Sequence, residues 1–130
     1  IRVVGDRFLL PSELLFGSGS ADLGPSGRAE LDKLANVLLD VAGRIPDDID
    51  WILRIDGHTD RIPINTAEFP SNWELSTARA VAVVRYLADK GVPEGRMAAA
   101  GFGEFFPVAD GRTEGALRQS RRIEIKLTSR

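Results

Sequence analysis

Apolar and polar positions alternate through residues 51–56, with Trp51, Leu53 and Ile55 on one side and Ile52, Arg54 and Asp56 on the other. Period two is the mark of a strand with one buried face. The same rhythm returns near the end of the chain, where Ile123, Ile125 and Leu127 interleave with Glu124, Lys126 and Thr128. Residues 1–4 and 8–10 flank Gly5-Asp6-Arg7, which predicts two short lead-in strands joined by a tight turn and ended by Pro11. Met97 to Gly101 reads as one more short strand. Between the strands the spacing changes. Ala29, Leu31, Leu34, Ala35, Leu38, Val41 and Ala42 recur at intervals that predict a helix from about Pro25 to Ala42, closed by Gly43 and Pro46. Ser71 and Glu74 carry the spacing of a capping box, so a second helix is expected from Asn72 to Lys90, with Gly91 at its C′ position and Pro93 beyond. Thr113 to Gln119 has the look of a further helical turn. The order β-α-β-α-β-β gives an α+β fold, a mixed four-stranded sheet with two main helices on one face. Residues 1–130 form a single domain in which 1–14 are the lead-in.

The second helix carries a charge where its apolar face should be. At about 100° per residue from Leu75, Arg79 falls near 40°, Ser76 near 100° and Val83 near 80°, all inside the bulky apolar arc. A guanidinium turned toward a core edge requires a partner or a ligand. Asp60 stands at the carboxyl end of the predicted strand, after a turn at Gly57-His58-Thr59, and is the obvious neighbour. Asp60 and Arg79 are either a structural ion pair or the two halves of a site that reads a zwitterion. The segment Phe16-Gly17-Ser18-Gly19-Ser20 is rich in small residues, which either let another molecule approach the backbone or simply make a flexible connector.

Composition narrows the chemistry. The 130 residues hold 17 basic and 19 acidic side chains, a net charge of −2 that gives no general attraction to nucleic acid or anionic lipid. No cysteine is present, which removes disulfides, thiolate metal sites and cysteine nucleophiles. Asp47, Asp48 and Asp50 lack the spacing of a calcium loop. His58 is the one histidine, and no G-x-S-x-G elbow offers it a serine, so catalysis through His58 with Asp56 or Asp60 has little support and neither a metal nor a cofactor is expected. No apolar run approaches the roughly 18 residues of a membrane span. The chain begins at Ile1 without an initiator Met, and is read as a fragment of a longer, membrane-tethered protein. The aromatic loop Phe102-Gly103-Glu104-Phe105-Phe106-Pro107 either stacks on a ligand or, the commoner role, packs as a satellite of the core.

Taken together, Ile55-Asp56-Gly57-His58-Thr59-Asp60, the spacing Asn72-x-x-Leu75-Ser76-x-x-Arg79-Ala80, Gly101-Phe102-Gly103-Glu104 with Pro107, and Arg121-Arg122-Ile123-Glu124-Ile125 resemble the OmpA-like C-terminal domain, a peptidoglycan-binding module. Pro63-Ile64 and the stretch Phe69 to Ser76 are similar to its MotB branch. The resemblance implies a two-layer sandwich that binds the stem peptide of peptidoglycan, commonly its diaminopimelate, without catalysis. It implies ligand binding by Asp60, Arg79, Asn72, Thr59 and Ser76, with the main chain of Phe16, Gly17 and Ser18 bordering the ligand. It further implies a periplasmic domain that anchors an inner-membrane protein, such as a motor stator-like subunit, to the cell wall, with a homodimer in the full-length protein. A small cell-wall hydrolase or a protein-interaction module are the rival readings. One departure stands out: Ser120-Arg121-Arg122 replaces the family's Asn-Arg-Arg, putting in question any bracing by that asparagine.

Overall fold

The computed structural model describes residues 2–4 as backbone, and residues 7–108 and 112–129 with their side chains. Its elements are β1 (Arg2–Val4), β2 (Arg7–Pro11), a single turn α1 (Ser12–Leu15), α2 (Pro25–Arg44), β3 (Trp51–His58), α3 (Asn72–Asp89), β4 (Met97–Gly101), α4 (Glu114–Ser120) and β5 (Arg122–Ser129). The expected turn at Gly5-Asp6 lies outside the described residues. The four expected strands run β2-β5-β3-β4, and β1 adds a fifth at the edge by pairing with β2. β3 and β4 are parallel, joined over the sheet by α3, while β5 lies antiparallel between β2 and β3. A parallel neighbour is reached only through a long crossover connection, and here α3 supplies it and covers these two strands.

Alternation decides which side chains meet the helices. Leu53, Ile55, Ile123 and Ile125 enter the core with Leu10, Leu31, Leu34, Val83 and Leu87, all at most 2% exposed. The opposite parity of β3 and β5 carries Arg54, Asp56, His58, Arg122 and Glu124. This second face is not the solvated one that simple alternation implies, because the loop after β4 folds over it: Phe102 stacks on His58 with ring centroids 5.0 Å apart, and Asp56, His58 and Glu124 are buried.

Three boundaries depart from the sequence reading. Gly43 does not end α2, which runs one residue further and stops before Pro46. α1 is a helical turn in what was read as a lead into the loop. Gly57 is inside β3 instead of in a turn, and its purpose is close approach: a methyl there would lie 2.2 Å from the Ser76 carbonyl oxygen. At Gly101 a methyl would meet Thr77 Oγ1 at 2.0 Å. These two glycines let the first turns of α3 press onto the ends of β3 and β4. At the other end the C-terminus of α3 follows the pattern closely. Gly91 has φ +106°, and the amides of Gly91 and Val92 donate to the carbonyls of Ala88 and Leu87, a Schellman closure.

Candidate functional site

Ser71 caps α3 by accepting the amide of Trp73, and its hydroxyl donates to Glu74, so the capping box starts the helix at the expected residue. That start fixes the helical phase, and with it Arg79. The side chain is 5% exposed and lies on the same buried face as Leu75, Ala80 and Val83. Its Nε donates to the Ser20 carbonyl at 2.8 Å and its Nη2 to the Gly17 carbonyl at 3.1 Å. The guanidinium carbon stands 5.1 Å from the Phe16 ring centroid. The small-residue loop is therefore wrapped around the guanidinium rather than left as a loose connector.

Asp60 follows the end of β3 and is 8% exposed. It does not pair with Arg79. Its Oδ2 accepts from Arg121 Nη1 at 2.7 Å and its Oδ1 from the amide of Ile62 at 3.0 Å. Arg121 continues to Glu114, 2.7 Å away, and to Glu13 at 3.9 Å. Of the two alternatives that the sequence left open, the direct Asp60–Arg79 ion pair is not formed, since Arg121 takes the carboxylate. Among the described residues Arg79 makes no ion pair within 4.0 Å, and its charge rests on neutral carbonyls. Burial, and then the nearby Arg121, push its pKa down to about 10, against the opposing pull of Asp60.

Both charges line one cleft of about 460 Å³, together with Phe16, Gly17, Ser18, Thr59, Asn72, Ser12, Ile62 to Ile64, Glu13, Glu114 and Arg121. Ser12 contributes a buried hydroxyl with no hydrogen-bond partner among the described residues. Thr59 turns its hydroxyl to the Asp60 carbonyl and its amide to the Gly103 carbonyl, bracing the corner. Asn72, expected at an anion-friendly helix start, spends its amide on the Ile62 carbonyl and on Glu104, tying the 61–70 loop to the aromatic loop. Ser76 is not in the cleft. It is fully buried behind α3, donates to the Trp73 carbonyl and accepts from the Gly103 amide. Its phase, about 100° around the helix from Leu75, put it on the buried face where it lies; the ligand role that the resemblance implies for it is not matched by a place in the cleft lining.

Arg121, Glu13 and Glu114 are the charged cleft residues to which the sequence reading gave no ligand role. For Arg121 a signal existed. Strand parity puts Arg122 on the same face as Glu124, with which it pairs at 2.6 Å, so its neighbour Arg121 must look to the other side. Ser120, in the place of the family's asparagine, lies 4% exposed under α4, donating to the Ala116 carbonyl and accepting from the Val108 amide, outside the cleft.

His58 belongs to the opposite face of the sheet. Asp56, His58 and Glu124 bring ligand-type atoms within 4.8 Å of one another. Asp56 is already matched by Arg54, and Glu124 by Arg7 and Arg122, so a metal cation would meet three guanidiniums. Burial, and then Arg122, hold the His58 pKa down to about 4. No serine hydroxyl bonds to it among the described residues, and a neutral imidazole stacked beneath Phe102 has no opening to a substrate.

No helix among the described residues is long and apolar enough to cross a membrane. In sequence, the chain is 38% identical over 124 residues to the uncharacterized protein YtxE of Bacillus subtilis, covering 95% of this chain and 48% of that protein. It therefore spans about half the length of that relative. In structure, it is similar to a putative MotB like protein from Desulfovibrio vulgaris, with a TM-score of 0.83 and 29% identity, covering 95% of this chain and 75% of that one. It is also similar to the cell wall anchor of the T6SS from Pseudomonas aeruginosa, with a TM-score of 0.82 and 29% identity, covering 95% and 81%. The OmpA family model matches residues 15–121, which include Asp60, Arg79 and Arg121, and the chain belongs to the OmpA family.

Proposed function

We propose that the cleft binds the stem peptide of peptidoglycan, without catalysis, and fastens a membrane-tethered protein to the cell wall from the periplasmic side. The observation that carries this reading is Arg79, a buried guanidinium at the side of an open cleft that, among the described residues, rests on two carbonyls and the Phe16 ring and meets no carboxylate within 4.0 Å. Such a cation is stabilised by any carboxylate that reaches it, and its planar fork suits one geometrically. Asp60, on the same cleft, offers the acceptor for an ammonium. A carboxylate and an ammonium on one carbon are the head group of diaminopimelate, the residue that the family resemblance implies. The similarity to a cell wall anchor and to a MotB like protein supports the anchoring role; that the anchored protein is a stator-like subunit working as a homodimer is the finer part of the proposal.

Calorimetric titration with purified diaminopimelate muropeptides tests the reading. The wild-type chain is expected to bind, and Arg79→Met to lose about tenfold or more in affinity, the scale of one charge-assisted contact of about 1.4 kcal/mol. Equal affinity in the two proteins, or none in either, refutes it.

A further inference from the structure

The aromatic residues after β4 point two ways. Phe102 and Phe106 lie on His58, with ring centroids 5.0 and 6.2 Å away, and roof the outer face of the sheet. Phe105 turns aside and rests on Trp73, in the first turn of α3, at 5.1 Å with the ring planes tilted by 32°. Trp73 is 51% exposed and Phe105 57%, and neither belongs to the hydrophobic core. An aromatic pair left in water marks an interaction site. This pair is also held from beneath. Gly103 has φ +63°, and a methyl on it would lie 3.5 Å from the Phe105 ring and 3.6 Å from that of Trp73. The Gly103 amide donates to Ser76 Oγ at 3.1 Å, its carbonyl accepts from the Thr59 amide at 2.9 Å, and the Phe106 carbonyl accepts from Arg122 at 2.9 Å. Phe105 is thus fixed on both sides, and a ligand that stacks on it has little side-chain motion to quench.

The rim of the pair indicates what stacks there. Glu74 is exposed in the same helical turn as Trp73, and Glu104, next to Phe105, accepts the Asn72 amide at 3.3 Å. Among the described residues no arginine or lysine stands over either ring. Carboxylates beside the rings repel anionic lipid and acidic polymers, and they accept hydrogen bonds from hydroxyl groups. A pyranose satisfies both parts: the C–H groups of its flat face meet the electron-rich face of a ring, and the hydroxyls at its edge meet the carboxylates. Asn72 joins this surface to the cleft. It lines the cleft, precedes Trp73, and divides its amide between the Ile62 carbonyl on the cleft side and Glu104 on the aromatic side. We propose that Trp73 and Phe105 form a saccharide platform that stacks on the β-linked N-acetylhexosamine backbone of the cell wall, beside the cleft that takes its stem peptide. The identity of the sugar rests on the stem-peptide reading above, since the glycan is what that peptide is joined to.

Calorimetric titration of the 130-residue chain with three probes tests the platform: chitotetraose, which is peptide-free, a free stem tetrapeptide, and the disaccharide carrying that tetrapeptide. The wild type is expected to bind chitotetraose weakly, and to bind the disaccharide-peptide about tenfold more tightly than the free peptide. Trp73→Ala and Phe105→Ala each should abolish chitotetraose binding and bring that tenfold gain to about one, with affinity for the free peptide kept within about twofold. Trp73→Phe retains a ring and most of the gain. The free peptide doubles as the control for folding, because a variant that misfolds loses it as well, and the two alanine variants lie on different elements. Arg79→Met is expected to lose the free peptide and keep chitotetraose. A wild type with no gain from the sugar, or a gain that survives both alanine variants, overturns the proposal. So does Trp73-dependent binding to vesicles of phosphatidylethanolamine and phosphatidylglycerol without binding to chitotetraose, which assigns the pair to a membrane. If chitotetraose binds through Trp73 and the free peptide does not bind at all, the platform stands and the stem-peptide reading falls. If the free peptide binds through Arg79 and the sugar adds nothing, only the platform falls.

Discussion

Replacing His58 with phenylalanine should flatten the acid side of the stability curve. The wild-type imidazole is 6% exposed, stacked on Phe102 at an interplanar angle of 11°, with Phe106 edge-on at 6.2 Å. Its Nδ1 has no hydrogen-bond partner among the described residues, and Nε2 is 3.8 Å from Glu124. Burial and then the neighbouring Arg122 lower its pKa from 6.5 to about 4, with Glu124 opposing. Between those values the unfolded chain holds a proton that the folded chain refuses. Stability therefore rises with pH across this window and falls as acid is added. One proton is worth about 1.36 kcal/mol per pH unit, so acidification from pH 6.5 to 5 should remove about 2 kcal/mol. Because the chain has one histidine, no other imidazole contributes. His58→Phe keeps an aromatic ring in the stack and deletes the titration. Urea unfolding midpoints at pH 7, 6 and 5 measure the difference. The wild type should lose about 2 kcal/mol more than the variant over that range, a visible part of a stability on the order of 10 kcal/mol. Parallel losses in the two proteins would show that the imidazole titrates as freely in the fold as outside it.

Other expectations follow from the same contacts. Gly57→Ala drives a methyl to 2.2 Å from the Ser76 carbonyl oxygen, where only backbone can give way, and should cost about 1–3 kcal/mol in urea unfolding; a neutral result means that α3 can slide on β3. Glu124→Gln removes the charge that Arg7 and Arg122 share under the aromatic loop, and is expected to destabilise by about 3 kcal/mol at neutral pH. Ser71→Ala deletes the cap of α3 and should lower stability by about 1 kcal/mol, read as a fall in thermal midpoint with the unfolding cooperativity retained. Asn72→Ala unties the 61–70 loop from Glu104, and faster proteolysis within that loop, at little cost in global stability, is the expected signature.

The sequence by itself determined the elements and their phases. Period two in residues 51–56 and 123–128, period 3.6 in the helices, and the Ser71-Glu74 box are local signals, because they depend on neighbours within a turn or a pleat. They were enough to place Arg79 on a buried face and Asp60 at a strand end, and the family resemblance carried these residues to a ligand class. Charge pairing was left to the tertiary structure. Asp60 is 19 residues from Arg79 and 61 from Arg121, and which guanidinium reaches it depends on β5 lying next to β3 and on α4 presenting Glu114. Ser76 and the His58 face were decided the same way, by the loop after β4 folding back over both the end of α3 and the outer side of the sheet. Electrostatic partners are chosen by distance in space, and strand order sets that distance. A period read along the chain says which way a side chain points, and the packing of distant segments says what it finds there.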